Sequence, residues 1–392
     1  MSAEQCRLCG ADSLVVFHER SRVPVHQNLP LPTPEAARAV TRGDLRLACC
    51  TRCGFISNLA FSDELLRYSA GYENDQTCSP LFDRYIDGLA GEIVDKYGVR
   101  DREVVEVGCG RGTFLRRLCQ RGGNRGVGFD PAHVGDEVVD DGRVRFVRAY
   151  YGPEQATVPA DAVICRHVIE HVPAPMNLIA AVRGALSTRT HADLFFETPD
   201  VEWILDNVVL QDFFYEHCSY FSAETLAFCF SQSGFADVTV ERVFGEQYLW
   251  LHAVYRGNTP TATIAPPAEN RVLAAALRFE ARETALRSAV NQRVQQLRSE
   301  GPLAVWGAGA KGVTFVNHFD ADGERIDCVV DINPRKQGRF VPGTGHAIVA
   351  PDDLGRRGVR HIVVMNPNYA AEIRDFIDTN RLPITLHLET DS

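Results

Sequence analysis

The sequence predicts an α/β protein whose centre is a doubly wound sheet, with a second, smaller unit of the same kind behind it. Three observations predict this. Residues 104–118, VVEVGCGRGTFLRRL, run from a β-rich segment through alternating glycines (Gly108, Gly110, Gly112) into a helical pattern opening at Thr113. Strand and helix patterns then alternate as far as DLFFETPD near residue 200, the order expected of parallel strands joined by helices. A second strand–glycine–helix stretch, LAVWGAGAKGVTFVNHF, occurs at 303–319. In each glycine turn the backbone approaches a ligand closely and N–H groups at a helix start point toward it.

The bulk properties bound the function. A chain of 392 residues exceeds one core and implies several domains. Hydrophobic residues make up 45%, yet no apolar run is long enough to span a membrane. The start MSAEQCRLCG lacks the basic and apolar regions of a signal peptide, so a cytoplasmic location is expected. The net charge of −10, with no Lys/Arg cluster, argues against nucleic acid as a partner. Twelve cysteines in such a chain argue for thiols or metal ligands rather than disulfides.

From the N-terminus, Cys6-Arg-Leu-Cys9-Gly and Cys50-Thr-Arg-Cys53-Gly form two CxxCG knuckles separated by a Pro-rich connection. The glycine lets backbone N–H groups bend toward the sulfurs, and four thiolates close a tetrahedral Zn2+ site with no open position. The ion is therefore expected to be structural. Cys50 is preferred over Cys49 because it keeps the two-residue spacing. Residues 61–98 are predicted to be mainly helical and to cover the ligand face, with Tyr68 and Tyr72 in a polar break that reads as a surface turn or a lid.

In the central stretch, ligands are expected beyond the carboxyl ends of the strands, where Gly108, Asp130, Arg166, His167, Glu197 and Thr198 fall. Glu106 places an acid in the first strand, and Asp130 ends the next strand, GVGFD, where it suits a ribose hydroxyl pair. Ala149, Tyr150 and Tyr151 are candidates to flank a purine. His167 and His171 stand four apart and are expected to share a helix face, with metal binding there disfavoured. The stretch DFFYEHCSYFS then offers Tyr215, Glu216, His217, Tyr220 and Ser222 among phenylalanines, which is either a proton-abstracting pocket or an aromatic-rich core loop. After a Pro/Thr linker, residues 271–300 read as one long amphipathic helix that packs on one face. In the second glycine unit Gly307, Gly309 and Gly312 form GxGxxG with Asp331 about twenty residues on. An NAD site and a phosphate-bearing substrate held by the turn amides and Lys311 are both open on these residues.

The string EVGCGRG…GFD resembles motif I of class I S-adenosylmethionine (SAM) methyltransferases, because Thr113 stands where a dehydrogenase has its third glycine. The whole order of motifs, with YEHCSYFS and GAGAKGVT…VVDINPRKQGRFVPGT, resembles the zinc-containing sugar C-methyltransferases that act on dTDP-activated 4-keto deoxysugars. The resemblance implies a class I methyltransferase core with an N-terminal zinc-knuckle domain and a C-terminal half-Rossmann domain. The corresponding segments are 1–70, 71–257, 258–300 (linker and connecting helix) and 301–392. It implies SAM held by Glu106, Gly108, Gly110, Gly112, Asp130 and His167, and Zn2+ held by Cys6, Cys9, Cys50 and Cys53. It further implies that His217 is a base oriented by Glu216, with His171 and Tyr72 around the sugar. Tyr215 is a candidate replacement for a phenol that the family has where Phe214 stands here. Lys311, Tyr220 and Asn368 are candidate substrate contacts. The partner implied is a nucleotide-linked keto sugar, with the chain a monomer or small homo-oligomer. Competing readings are an O- or N-methyltransferase of another small metabolite, a non-catalytic SAM-fold scaffold, and a NAD-using oxidoreductase at the second glycine turn.

Overall fold

The computed structural model describes residues 4–66, 68, 71–257, 262–267 and 269–388. Three sheets organise them. The central sheet has eight strands in the spatial order Ala236–Val243, Tyr248–Tyr255, Ala192–Pro199, Ala162–Arg166, Glu103–Val107, Arg125–Phe129, Val144–Val147 and Val138–Val139. Its five middle strands are parallel, and antiparallel partners close both edges. The order reverses around Glu103–Val107, so a crevice opens at that strand's carboxyl end. Val104, Val105 and Val107 are fully buried there, as a strand covered on both faces requires. The C-terminal sheet has five parallel strands, Ile348–Val349, Cys328–Val330, Leu303–Trp306, His361–Val364 and Thr385–Leu388, and its order reverses around Leu303–Trp306.

The third sheet is antiparallel and joins Leu14–Pro24, Arg42–Cys50 and Ile56–Asn58 to the distant pair Ser219–Tyr220. That last strand lies inside the stretch expected to be the SAM-binding domain. Apolar packing crosses the expected boundaries as well. Phe17, Leu45 and Leu47 share one core with Phe213, with Phe279 of the helix Arg271–Glu300 and with Phe315 of the helix Ala310–Phe319. Burying each such phenylalanine contributes about 2 kcal/mol, so these contacts hold the segments as one body. The connecting helix has the bounds the pattern predicts, Arg271–Glu300, capped by Asn270. In the linker before it, 258–261 and 268 lie outside the described residues, as do 67, 69 and 70 at the first expected boundary.

Two expectations need correction. Residues 61–98 are not mainly helical: the helix is Pro80–Asp95, started by Ser79 and by Pro80 in the first turn, with a short 3-10 turn at Asp63–Leu65. Most of the segment between them is irregular and runs across the crevice, because Gly71, Asn74 and Asp75 favour turns. His167 and His171 do not share a helix face either. His167 sits at φ 53°, in the left-handed region, and only Ile169–His171 forms a 3-10 turn.

Candidate active site

A cavity of about 870 Å3 lies at the crevice of the central sheet and extends to that of the C-terminal sheet. Its volume is at the upper end of the range for small-molecule sites. The first glycine turn forms one wall. Gly108 and Gly112 have φ of 70° and 80°, and a Cβ on them would lie 2.1 Å from Val168 Cγ2 and Phe146 Cζ respectively. No other residue type fits either position. Asp130 accepts hydrogen bonds from the amides of Gly110 (2.9 Å) and Ala132 (2.8 Å), which fixes the carboxylate at the end of its strand. Glu106 is buried, and its Oε2 has no hydrogen-bond partner among the described residues. Burial raises its carboxyl to about 8, with Arg166 opposing the shift. Ala149, Tyr150 and Tyr151 line the same cavity.

The second turn faces this one. The carboxylate of Asp331 accepts from the amides of Ala308 (2.9 Å) and Asn333 (2.8 Å), the same pattern that Asp130 makes. Lys311 lines the cavity, but its ammonium is paired with Asp212 at 2.9 Å and lies over the Trp203 ring. The buried cation here is Lys336, whose Nζ donates to the Ala308 carbonyl at 2.9 Å and stands 3.8 Å from Asp331. Sequence reading passed over Lys336, although its place beside the GAGAKG turn follows from the loop that returns after Asp331.

Between the turns lies a corner of acid–base groups. His217 is buried, with Phe214 tilted against its ring and His171 edge-on at 4.8 Å. Burial, together with His171 and His167, pushes His217 well below the ordinary imidazole value, so the ring is neutral in this corner. Tyr68 bonds His171 Nδ1 at 3.1 Å through its hydroxyl, and Tyr72 packs edge-on to Tyr68. Both tyrosines line the cavity. Below them Arg166 and Tyr85 hold Glu197, and His167 stands between Glu197 and Glu170. Burial alone would lower His167, but Glu197 and Glu170 outweigh it and raise the ring to about 9.

Several expected site residues serve elsewhere. Glu216 does not orient His217: it accepts the Gln27 amide at 2.7 Å and lies 3.4 Å from His26, because adjacent side chains leave this loop in opposite directions. Tyr215 is turned out of the cavity, where its hydroxyl accepts from the Ser62 amide at 2.8 Å, so it does not replace the phenol missing at Phe214. Tyr220 is buried against Phe213 in the shared core. Asn368 caps its neighbourhood by donating to the Phe244 carbonyl at 2.9 Å, and Asn366 rather than Asn368 lines the cavity.

The four cysteines Cys6, Cys9, Cys50 and Cys53 converge. Cys6 and Cys53 sulfurs lie 3.7 Å apart, and those of Cys9 and Cys50 3.6 Å. A tetrahedral ion with Zn–S bonds of about 2.3 Å sets its sulfurs roughly 3.75 Å apart, so the donor set fits zinc. Cys49 is buried nearby and bonds backbone carbonyls instead.

Residues 82–240 match the family described as methyltransferase domain, and 269–380 match the C-methyltransferase C-terminal domain. The chain is similar to C-methyltransferase NovU of Streptomyces niveus, with 26% identity over 95% of this chain and 91% of the relative. A ubiquinone biosynthesis O-methyltransferase of Pseudoalteromonas translucida is 32% identical over 26% of this chain and 45% of that protein. Among solved structures, the chain is similar to Burkholderia thailandensis 1,6-didemethyltoxoflavin-N1-methyltransferase with bound S-adenosylhomocysteine. Identity is 17%, covering 45% of this chain and 80% of that one, with a TM-score of 0.34. For human N-acetylserotonin methyltransferase in complex with SAM the identity is 14%, covering 45% and 55%, with a TM-score of 0.36.

Proposed function

We propose, from the premise that this chain belongs to the SAM-dependent C-methyltransferase family, that it methylates a carbon next to the ketone of a nucleotide-activated, dTDP-type deoxysugar. The observation that carries the reading is a neutral, buried His217 in one cavity with two glycine turns, each backed by an aspartate. The Gly108–Gly110–Gly112 turn and Asp130 would hold SAM, with Glu106 and His167 beside it. The second turn, with Asp331 and Lys336, would hold the nucleotide of the sugar, and Lys311 would reach phosphate only by leaving Asp212. The segments 1–70, 71–257, 258–300 and 301–392 would then contribute zinc, SAM, connection and substrate binding.

Bound SAM supplies an electrophilic methyl carried on a sulfonium. His217 takes the proton from the carbon beside the ketone, and the C–H electron pair moves toward the carbonyl oxygen as an enolate. His171 and Tyr72 flank that oxygen. With SAM bound, the enolate carbon would take the methyl, and the sulfur–methyl electron pair would stay on sulfur. Holding the two reactants in line supplies much of the rate. Cys6, Cys9, Cys50 and Cys53 would bind a structural Zn2+ and take no part in the reaction.

Incubation with SAM and a panel of dTDP- and GDP-linked 4-keto sugars in deuterated water, read by mass and proton NMR, tests this. We expect methyl on carbon, and deuterium exchange at that carbon that His217→Ala abolishes. Absence of exchange with every sugar, with SAM still bound, would sink the substrate class. The likeness to an O-methyltransferase over 26% of the chain supports a second reading, methylation of oxygen or nitrogen on another small metabolite. The chemical shift of the transferred methyl separates it from the first.

A further inference from the structure

We propose that Glu170, not the adjacent Glu216, is the carboxylate that positions His217, holding its Nδ1–H so that the Nε2 lone pair faces the cavity. This rests on the reading of His217 as the base. The backbone fixes the pair in register. The Cys218 amide donates to the Glu170 carbonyl at 2.9 Å, and Ser219 Oγ donates to the Val172 carbonyl at 2.8 Å. The turn Ile169–His171 and the start of the strand Ser219–Tyr220 are thus stitched together beside His217. Glu170 is 1% exposed, and one of its oxygens, Oε2, accepts from Thr198 Oγ1 at 3.0 Å.

Three buried polar atoms in this corner have no hydrogen-bond partner among the described residues: Glu170 Oε1, His217 Nδ1 and His167 Nε2, and the first two carry the proposal. Such atoms are costly apart and are rarely left so. One ring nitrogen of His171, one of His217 and one carboxylate oxygen of Glu170 lie within 4.8 Å of one another, which brings the Glu170 carboxylate within reach of the His217 ring. The other titratable groups facing His217 are His171, whose Nδ1 is taken by Tyr68, and Tyr220, whose ring centroid is 6.1 Å away. His167 Nδ1 lies 3.4 Å from Glu170 Oε1 and competes with His217 for that oxygen. Glu216 is spent on the Gln27 amide. An imidazole that becomes charged in a buried corner needs a fixed counter-charge, and among the described residues Glu170 is the carboxylate grouped with it.

The test is 15N NMR of the imidazole of His217 in full-length, zinc-loaded protein bound to S-adenosylhomocysteine at neutral pH. We expect one tautomer, Nδ1–H, at roughly nine parts in ten or more. In Glu170→Gln, whose amide both donates and accepts, we expect that preference to fall at least threefold. In Glu216→Gln the tautomer ratio should stay as in the parent protein. An unchanged ratio in Glu170→Gln, or a mixed population already in the parent, overturns the proposal. If Glu170→Gln does not fold, Thr198→Val decides: it frees Oε2 alone, so a partial loss of preference supports the assignment and no change overturns it. None of these readings needs the acceptor, so a failed sugar panel leaves the result standing.

Discussion

Glu106 and Asp130 flank the same glycine turn, but only the first is expected to change fold stability when substituted. Glu106 keeps its proton to about pH 8 in the folded chain, whereas an unfolded glutamate loses it near 4.5. Between those values the folded state holds the extra proton, so this group makes stability fall as pH rises through that window. Glu106→Gln should therefore raise the unfolding free energy at pH 8 by on the order of 2 kcal/mol, with the gain vanishing below about pH 4.5. The same substitution should weaken SAM binding, and calorimetry at both pH values checks the two effects together. Asp130→Asn keeps shape and loses charge. It should weaken SAM about ten- to a hundredfold by titration calorimetry, with the fold retained. At this scale sequence located the groups whose spacing is dictated by backbone: the glycines, Asp130 and the four cysteines. It misplaced Glu216, Tyr215, Tyr220 and Asn368, because a loop gives no period from which to tell which neighbours share a face. Glu170 and Lys336 lay within recognised motifs but acquired partners only through the tertiary fold.

Among elements, the strand Ile56–Asn58 is the instructive one. It follows the second knuckle directly and pairs with Ser219–Tyr220, which begins two residues after His217. The four-cysteine cluster, as the proposed metal site, would therefore brace the proposed base through one short ladder rather than touch the reaction. Chelation, or Cys50→Ser, should remove deuterium exchange and methyl transfer while leaving SAM affinity within about threefold, measured on the same sample. Equal loss of SAM affinity would mean that the knuckles support the whole core. The regular elements were legible because their periods are strong, above all Arg271–Glu300 and the buried strand Glu103–Val107. The stretch 71–79 was not. Its residues read as helix in sequence, but the cavity they line and the partners of Glu73 hold them in an irregular path.

Across the whole molecule, one buried carboxylate ties three regions together. Glu73 bonds Arg111 of the first glycine turn at 2.6 Å, Arg335 at 2.6 Å and Asn333 at 3.1 Å in the loop after the second turn. Burial alone would raise its carboxyl, but Arg335, Arg111 and Asn333 outweigh that and hold it at about 2. Its contribution is therefore present above about pH 4.5 and lost as pH falls toward 2. Glu73→Gln should cost roughly 2 kcal/mol at pH 7, less than a fully buried pair because Arg335 is part-exposed, and the difference from the parent should shrink in acid. Denaturant melts at pH 7 and pH 3 measure it. The pairing of Ile56–Asn58 with Ser219–Tyr220 also sets a timetable for synthesis. Ser62 and Tyr215, bonded in the finished protein, are 153 residues apart in the chain. The sheet built from Leu14–Pro24, Arg42–Cys50 and Ile56–Asn58 thus waits, with one edge open, for a strand translated many seconds later. Until then its four thiols are the part of the nascent chain most exposed to oxidation, and early metal capture would protect them.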